Sequence, residues 1–275
     1  MIQVNRAVDK TIVIQRNSNG YLATPHVKAR TEKFSSYPDR FLVPEDKVPF
    51  EESFPEYNPQ YYLSDVVIKK HQKYLAGTFE RVVDPENIRD VKRKFTTYES
   101  AEIRLDSNGY PLNPRGRTGL RGRGVLEKWG ANFAADPIIT RLNTKTGQFE
   151  MLAIKRKDNG QWAIPGGKVD EGERISKTAA RELGEESGVE LNMDDAVLLY
   201  QGYVDDPRNT DNAWFETSVF HKYLPNDLAS RINPKAGTGE EDVAWMPLTE
   251  GNINNLYASH GSFVRLALLQ LTENK

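Results

Sequence analysis

The apolar and polar positions in the second half of the chain predict strands and helices in alternation. Six strands are predicted, at residues 136–142, 149–155, 162–164, 197–204, 214–221 and 242–246. The first two form a hairpin around residues 144–147, which have the polar and glycine-containing composition of a turn. The third is short and ends at Pro165. Strands in this order, with helices between and after them, indicate an α/β sandwich.

Two helices accompany these strands. In residues 174–187, an apolar residue recurs every fourth position at Ile175, Ala179 and Leu183, which gives the helix one apolar stripe. Gly188 follows at the position that a C-cap glycine takes. Residues 262–271 predict a closing helix whose inward-facing side chains are those of Phe263, Leu266, Ala267 and Leu271.

The first 112 residues have a different character. A hairpin is predicted within residues 1–25, and short strands are predicted around residues 95–98. Residues 25–60 hold many prolines with large aromatic rings between them, so an ordered, irregular segment packed on a domain is expected. We therefore predict a smaller N-terminal lobe at residues 1–112 and a main domain at residues 113–275.

Composition narrows the function classes. The chain has 275 residues, a net charge of −2 and no cysteine. This charge argues against a dedicated nucleic-acid binder, and the lack of cysteine excludes disulfides and thiolate chemistry. No apolar run is long enough to span a bilayer, and the N-terminus lacks a secretory signal. An intracellular protein is expected, either cytoplasmic or mitochondrial.

The helix at residues 174–187 also carries the strongest candidate chemistry. Glu182 and Glu186 lie one turn apart with Glu185 beside them, and such crowded carboxylates repel each other. A hard divalent cation with oxygen ligands would relieve the repulsion. Arg181 is one turn from Glu185 and can hold a carboxylate in place. Before the helix, residues 166–167 are both glycine, which allows a close backbone approach and a carbonyl ligand.

Other residues offer weaker indications. The polar stretch at residues 205–214 is either a solvated turn or a recognition loop, in which Arg208 would bind a phosphate or a ribose hydroxyl. The Arg/Gly segment at residues 115–124 is either a flexible turn or a phosphate site containing Arg117 and Arg123. Tyr98, Tyr257 and His260 are candidates for base stacking or ligand contact, although each is an ordinary packing residue by type alone.

One long motif gives a more specific indication than these residues. Residues 167–189 fit the pattern Gly-x5-Glu-x7-Arg-Glu-Leu-x-Glu-Glu-x-Gly-Val at all its specified positions, which are Gly167, Glu173, Arg181, Glu182, Leu183, Glu185, Glu186, Gly188 and Val189. The chain thereby resembles the Nudix hydrolases. Residues 113–124, 135–141, 162–167 and 202–214 further resemble the ADP-ribose pyrophosphatases of animal mitochondria. They also resemble the homologous C-terminal domain of ADP-ribose-gated melastatin-type cation channels.

The resemblance implies a Nudix α/β/α sandwich with a mixed sheet, and hydrolysis of ADP-ribose to AMP and ribose 5-phosphate with Mg²⁺ or Mn²⁺. It implies metal binding by Gly167, Glu182, Glu185 and Glu186, with Glu173 and Arg181 in the catalytic motif. Substrate contacts are expected from nine residues: Tyr98, Arg117, Arg123, Asp206, Arg208, Asp211, Asn212, Tyr257 and His260.

Several alternatives stay open from the sequence. The chain is either a free enzyme or an ADP-ribose-sensing module of a channel, and a Nudix hydrolase for another nucleoside diphosphate is a third hypothesis. The intact Arg181-Glu-Leu-Gly-Glu-Glu186 core favours an active enzyme. The general base is one of the three helix carboxylates, or else Glu240, Glu241 or Asp242 from the segment before Trp245.

Overall fold

A computed structural model describes residues 26–99 and 102–273. The hairpin predicted within residues 1–25 lies outside the described residues. The strands are β1 (Tyr61–Leu63), β2 (Arg121–Gly124), β3 (Gly130–Leu142), β4 (Phe149–Arg156), β5 (Trp162–Ala163), β6 (Gly167–Lys168), β7 (Val197–Tyr203), β8 (Ala213–Leu224) and β9 (Glu240–Pro247). The α-helices are α1 (Lys28–Thr31), α2 (Asp65–Leu75), α3 (Ile175–Ser187), α4 (Asn226–Ala229), α5 (Glu250–Asn254) and α6 (His260–Glu273). Short 3₁₀ helices occupy Glu45–Lys47 and Ile88–Asp90.

Seven strands form one mixed sheet built around β3. Strand β3 pairs in parallel with β8 and antiparallel with β4 and β6. Strand β4 also pairs antiparallel with β5 and β9, and β7 pairs antiparallel with β8. The six strands predicted from the sequence are all present, and β3 begins at Gly130, six residues before its predicted start.

Helices cover both faces of this sheet, which confirms the α/β sandwich. On one face, Ala179 and Leu183 of α3 pack with Ile139 and Leu152, and Ile175 packs at the edge of the same cluster. On the other face, Phe263, Val264 and Ala267 of α6 pack with Ile138 and Met151. Ile138 and Ile139 thus pack into the cores on opposite faces of the sheet, because successive strand residues point to opposite faces.

Both predicted helices form, with small differences at their ends. Helix α3 begins after Arg174 and ends at Gly188, whose φ of 66° is the left-handed conformation of a C-cap glycine. Helix α6 begins two residues earlier than predicted. Phe263 and Ala267 are buried as expected and Leu266 is partly buried against the same core.

The N-terminal lobe is present and packs on the main domain. As expected, residues 26–60 are ordered but irregular, and Tyr37 is buried. The strand predicted around residues 95–98 is wrong, because this part of the described chain has no regular structure. Its hydrogen-bonding groups find a side chain instead: Thr97 Oγ1 and the Tyr98 amide both donate to Glu216. The boundary at residue 112 stays a prediction, since β2 pairs in parallel with β1 of the lobe.

Within residues 26–99 and 102–273, none of the helices has both the length and the apolarity needed to cross a membrane.

Candidate active site

Helix α3 brings two of its three glutamates to a cleft of about 260 Å³. Glu182 and Glu186 line this cleft, and Gly167 at the start of β6 lines it beside them. A Cβ atom at Gly167 would collide with the Glu182 carboxylate, so only glycine allows this approach. Glu185 points elsewhere: its side chain is exposed and lies 3.4 Å from Arg181.

Arg181 holds the motif together without lining the cleft. Its guanidinium donates to both carboxylate oxygens of Glu173 at 3.0 Å, to Glu182 Oε1 at 2.8 Å and to the Lys168 carbonyl at 3.1 Å. The hydrogen bond from Arg181 lowers the pKa of Glu173 to about 2 against the effect of its burial. Arg181 and Glu173 therefore orient Glu182 and the strand that carries Gly167.

The carboxylates of the cleft are crowded and buried. Burial, followed by the charges of Glu240, Glu182 and Asp136, raises the pKa of Glu186 to about 8, although the Gly166 amide donates to it at 2.9 Å. Burial also raises the pKa of Asp136 to about 7 and raises that of Glu182. These carboxyl groups are crowded by one another's negative charge, which a bound cation would compensate.

The loop after β7 contributes a tightly joined acid–base pair. Arg208 donates to Asp206 through Nε at 2.8 Å and through Nη2 at 2.6 Å. Burial acts to raise the pKa of Asp206, but the charge and hydrogen bonds of Arg208 outweigh it and lower the pKa. Both side chains line the same cleft as Glu182 and Glu186. The predicted recognition loop is thus buried and fixed, and is not a solvated turn.

Tyr257 and His260 line the same cleft at the start of α6. The Ile164 amide donates to His260 Nδ1 at 3.1 Å, so the neutral ring carries its proton on Nε2 and can act as a donor. Burial lowers the pKa of His260 to about 3 and keeps the ring neutral. Ala258 between them has φ of 46°, and it is the only non-glycine residue with positive φ in the described chain.

Four of the predicted substrate residues lie away from the cleft, at the junction with the N-terminal lobe. Arg117 donates to the carbonyls of Lys47, Pro49 and Glu52, and Arg123 donates to those of Asp84 and Glu127. Asp211 accepts from Tyr57 and Thr118, and Asn212 bonds the Gly122 amide and the Pro111 carbonyl. The Arg/Gly segment is therefore neither a flexible turn nor a lining of this cleft.

Tyr98 lies outside the cleft as well. Its ring packs against Phe133 with the centroids 4.7 Å apart, and Phe133 lines a neighbouring cavity.

The cleft also contains charged residues that the sequence did not single out. Arg81, Asp136, Arg156 and Lys168 all line it. Arg156 forms a bidentate pair with Asp158 and lies over the Tyr257 ring at 4.4 Å. The sequence offered one indication for Asp136, because it is the only carboxylate in β3. Arg81 had none, because it comes from the N-terminal lobe.

Comparisons with known proteins establish the family of the chain. The family model described as "NUDIX domain" matches residues 134–267, and the one described as "NUDT9-like, N-terminal domain" matches residues 43–130. The chain is 38% identical to "ADP-ribose pyrophosphatase, mitochondrial" of Rattus norvegicus, over 92% of this chain and 80% of that protein. The chain belongs to the Nudix hydrolase family. Its α3 is accordingly the Nudix helix.

Two further relatives bear on the context of this Nudix hydrolase. The chain is 48% identical to "Putative nudix hydrolase 6" of Caenorhabditis elegans over 57% of this chain and 62% of that protein. It is 37% identical to "Transient receptor potential cation channel subfamily M member-like 2" of Nematostella vectensis over 87% of this chain and 17% of that protein. The resemblance to both enzymes and channels is thereby confirmed.

Proposed function

We propose that this Nudix hydrolase cleaves ADP-ribose to AMP and ribose 5-phosphate with a divalent metal, Mg²⁺ or Mn²⁺. The observation that carries the proposal is one cleft that joins Glu182, Glu186 and Gly167 to Asp206, Arg208, Tyr257 and His260. The similarity to the rat pyrophosphatase, which extends over most of both chains, supports ADP-ribose as the substrate.

The residues of the cleft fit a hard divalent cation. Two carboxylates with raised pKa values and a glycine carbonyl offer oxygen ligands, and the lack of a Cβ at Gly167 leaves room for the Glu182 carboxylate. No group of three such side chains converges into a complete ligand set within the described residues. Mg²⁺ does not require one, because it keeps several waters and is held by one or two carboxylates together with substrate phosphates.

The residues of the cleft have the following roles in the proposed hydrolysis. A bound cation would polarise a diphosphate oxygen and favour attack of water at phosphorus. Arg181 orients Glu182, and His260 can donate a hydrogen bond from Nε2. Of the six candidate bases, Glu182 and Glu186 line the cleft. The cleft lining does not include Glu185, Glu240, Glu241 or Asp242, so we favour the two helix glutamates.

The test is AMP release from ADP-ribose by the purified chain with Mg²⁺, Mn²⁺ or EDTA. We expect metal-dependent release, and a fall in kcat on the order of 100-fold in Glu182→Gln and in Glu186→Gln, because each removes a metal ligand without removing core. Glu190→Gln is the matched control, since Glu190 is exposed just beyond the same helix. Variants with wild-type rates would refute the metal assignment.

The other outcomes separate the alternatives. Tight ADP-ribose binding without AMP release would favour the sensor function of a channel module, the hypothesis that the Nematostella relative represents. Release from another nucleoside diphosphate, with ADP-ribose inert, would correct the substrate and keep the reaction class.

A further inference from the structure

The basic side chains of the cleft differ in how far they are neutralised. Four of them line it: Arg81, Arg156, Lys168 and Arg208. Arg156 and Arg208 each bind both oxygens of a neighbouring aspartate. Lys168 Nζ lies 3.0 Å from Glu127, a carboxylate that it shares with Lys70. Arg156 and Arg208 are thus each neutralised by an aspartate two residues away in the sequence.

Arg81 is held more loosely. It follows α2 in the N-terminal lobe, and its Nε lies 2.8 Å from Asp170 Oδ1 across the junction with the Nudix domain. Asp170 also lies 3.7 Å from Arg181, so one carboxylate faces two guanidinium groups. The Arg81 side chain is 36% exposed to solvent. Its positive charge is therefore less compensated than those of Arg156 and Arg208.

Arg81 also stands where two cavities meet. A second cavity of about 330 Å³ adjoins the cleft, and Arg81 and Lys168 belong to the linings of both. The cleft alone, at about 260 Å³, is smaller than the roughly 300–1,000 Å³ typical of ligand pockets. A substrate with a group on each side of a diphosphate would extend from one cavity into the other and pass Arg81.

We propose that Arg81 is a catalytic residue supplied by the N-terminal lobe, whose guanidinium binds the diphosphate of the substrate opposite Glu182 and Glu186. A planar guanidinium matches phosphate oxygens, and its charge favours the negative charge that develops on the leaving phosphate. This inference rests on the proposed function for its substrate. It also gives the NUDT9-like N-terminal domain a direct part in the reaction.

The experiment compares kcat and KM for ADP-ribose in Arg81→Ala, Arg81→Lys and Arg89→Ala. Arg89 is the matched control, an exposed arginine of the same lobe outside both cavities. We expect Arg81→Ala to lower kcat/KM by about 10- to 100-fold, the usual loss for a hydrogen bond to a charged group. Arg81→Lys should recover part of it. Equal kcat/KM in Arg81→Ala and Arg89→Ala would overturn the proposal.

A purely structural role is tested by Asp170→Asn. This variant removes the negative charge that faces both Arg81 and, at 3.7 Å, Arg181, but it leaves both guanidinium groups in place. If Arg81 acts on the diphosphate, Asp170→Asn keeps most of the activity that Arg81→Ala loses. If Arg81 only anchors the segment before the Nudix helix, the two variants lose activity equally, which would overturn the proposal.

Binding measurements separate this inference from the proposed function. If the wild type releases no AMP from ADP-ribose, the substrate proposal fails and titration calorimetry with ADP-ribose and inorganic pyrophosphate decides about Arg81. Weaker binding by Arg81→Ala than by the wild type and Arg89→Ala would support the diphosphate contact. Equal binding by all three, or no binding by the wild type, would overturn it.

Discussion

At the scale of single residues, burial decides the charge state of the groups near the cleft. The same low-dielectric surroundings raise the pKa values of Glu186 and Asp136 and lower that of His260. In each case the neutral form is favoured, because a charged group loses its hydration on burial. Asp206 escapes this rule since Arg208 supplies two hydrogen bonds. At Asp206 the charge and hydrogen bonds of Arg208 therefore outweigh burial and hold the carboxylate in its charged form.

The effect of burial on the pKa of His26 can be measured through the pH dependence of the free energy of unfolding. Burial lowers its pKa to about 4 from 6.5, and its ring is held by Tyr203 Oη at 2.9 Å and the Arg117 carbonyl at 3.2 Å. The unfolded chain binds this proton more readily, so the stabilisation is complete above pH 6.5 and is lost as pH falls toward 4. We expect His26 to contribute a slope of up to about 1.4 kcal/mol per pH unit in that window.

The measurement is urea unfolding of the wild type and His26→Gln between pH 4 and 8. Asp136 and Glu186 have raised pKa values and contribute the opposite slope, so only the difference between the two proteins isolates His26. The free energies of unfolding should converge as pH falls. A constant difference across the range would show that His26 titrates normally in the folded chain.

At the scale of elements, the loop that carries Asp206 and Arg208 depends on the segment before residue 41. Arg40 Nη2 donates to the carbonyls of Pro207 at 2.7 Å and Asn209 at 2.9 Å, and Tyr37 Oη donates to that of Arg208 at 2.7 Å. Asp205 accepts from three successive amides, at residues 27–29. The irregular N-terminal segment thus acts as a scaffold for the cleft.

Arg40→Ala should therefore weaken substrate binding without touching the substrate. We expect KM for ADP-ribose to rise about 10-fold with a smaller change in kcat, because three carbonyls lose a charged donor and the loop loosens. Steady-state kinetics give the two constants separately. Lys33→Ala is the control, since its ion pair with Asp39 is exposed. A fall in kcat at unchanged KM would contradict this positioning role.

The sequence predicted those elements whose signals are local. The Nudix helix and its C-cap follow from spacing within residues 167–189. The two glycines before the helix indicated a close backbone approach, and the structure shows Glu182 as its partner. The positions of Arg117 and Arg123 could not be predicted, because each has carbonyl acceptors about 40 to 70 residues away. Glycine and arginine favour a phosphate site and a buried arginine anchor equally well. The position of Arg81 could not be predicted for the same reason, because local spacing does not show that the N-terminal lobe contributes a residue to the cleft.

At the scale of the whole molecule, the two lobes share too many buried polar contacts to be independent. Arg117 and Arg123 anchor two N-terminal segments, at residues 47–52 and at Asp84, and β2 pairs with β1. Tyr57 of the N-terminal lobe also donates to Asp211 of the Nudix domain. The family matches divide at residues 130–134, whereas the sequence placed the boundary at residue 112. We propose that residues 113–130 belong physically to both lobes.

This arrangement predicts one cooperative unfolding transition. Asp84 of the N-terminal lobe, 3% exposed, accepts from Arg93 at 2.6 Å and from the Trp129 amide at 2.8 Å, and its carbonyl accepts from Arg123. Asp84→Asn should cost about 2–3 kcal/mol, because it removes a buried charge from its partners. Far-UV circular dichroism, tryptophan fluorescence and calorimetry should report the same lowered midpoint, as the junction unfolds together with the sheet.

Asp90→Asn is the control for this experiment, since Asp90 is exposed in the same lobe and should leave the midpoint unchanged. Two separate transitions, with only the first shifted by Asp84→Asn, would show that the lobes fold independently. In that case Arg81 could leave the cleft while the Nudix sheet stayed folded. Substrate should then bind more tightly when the N-terminal lobe is stabilised. A single transition instead means that the cleft and the lobe that closes it are lost together, so the loss of activity on heating should coincide with the loss of structure.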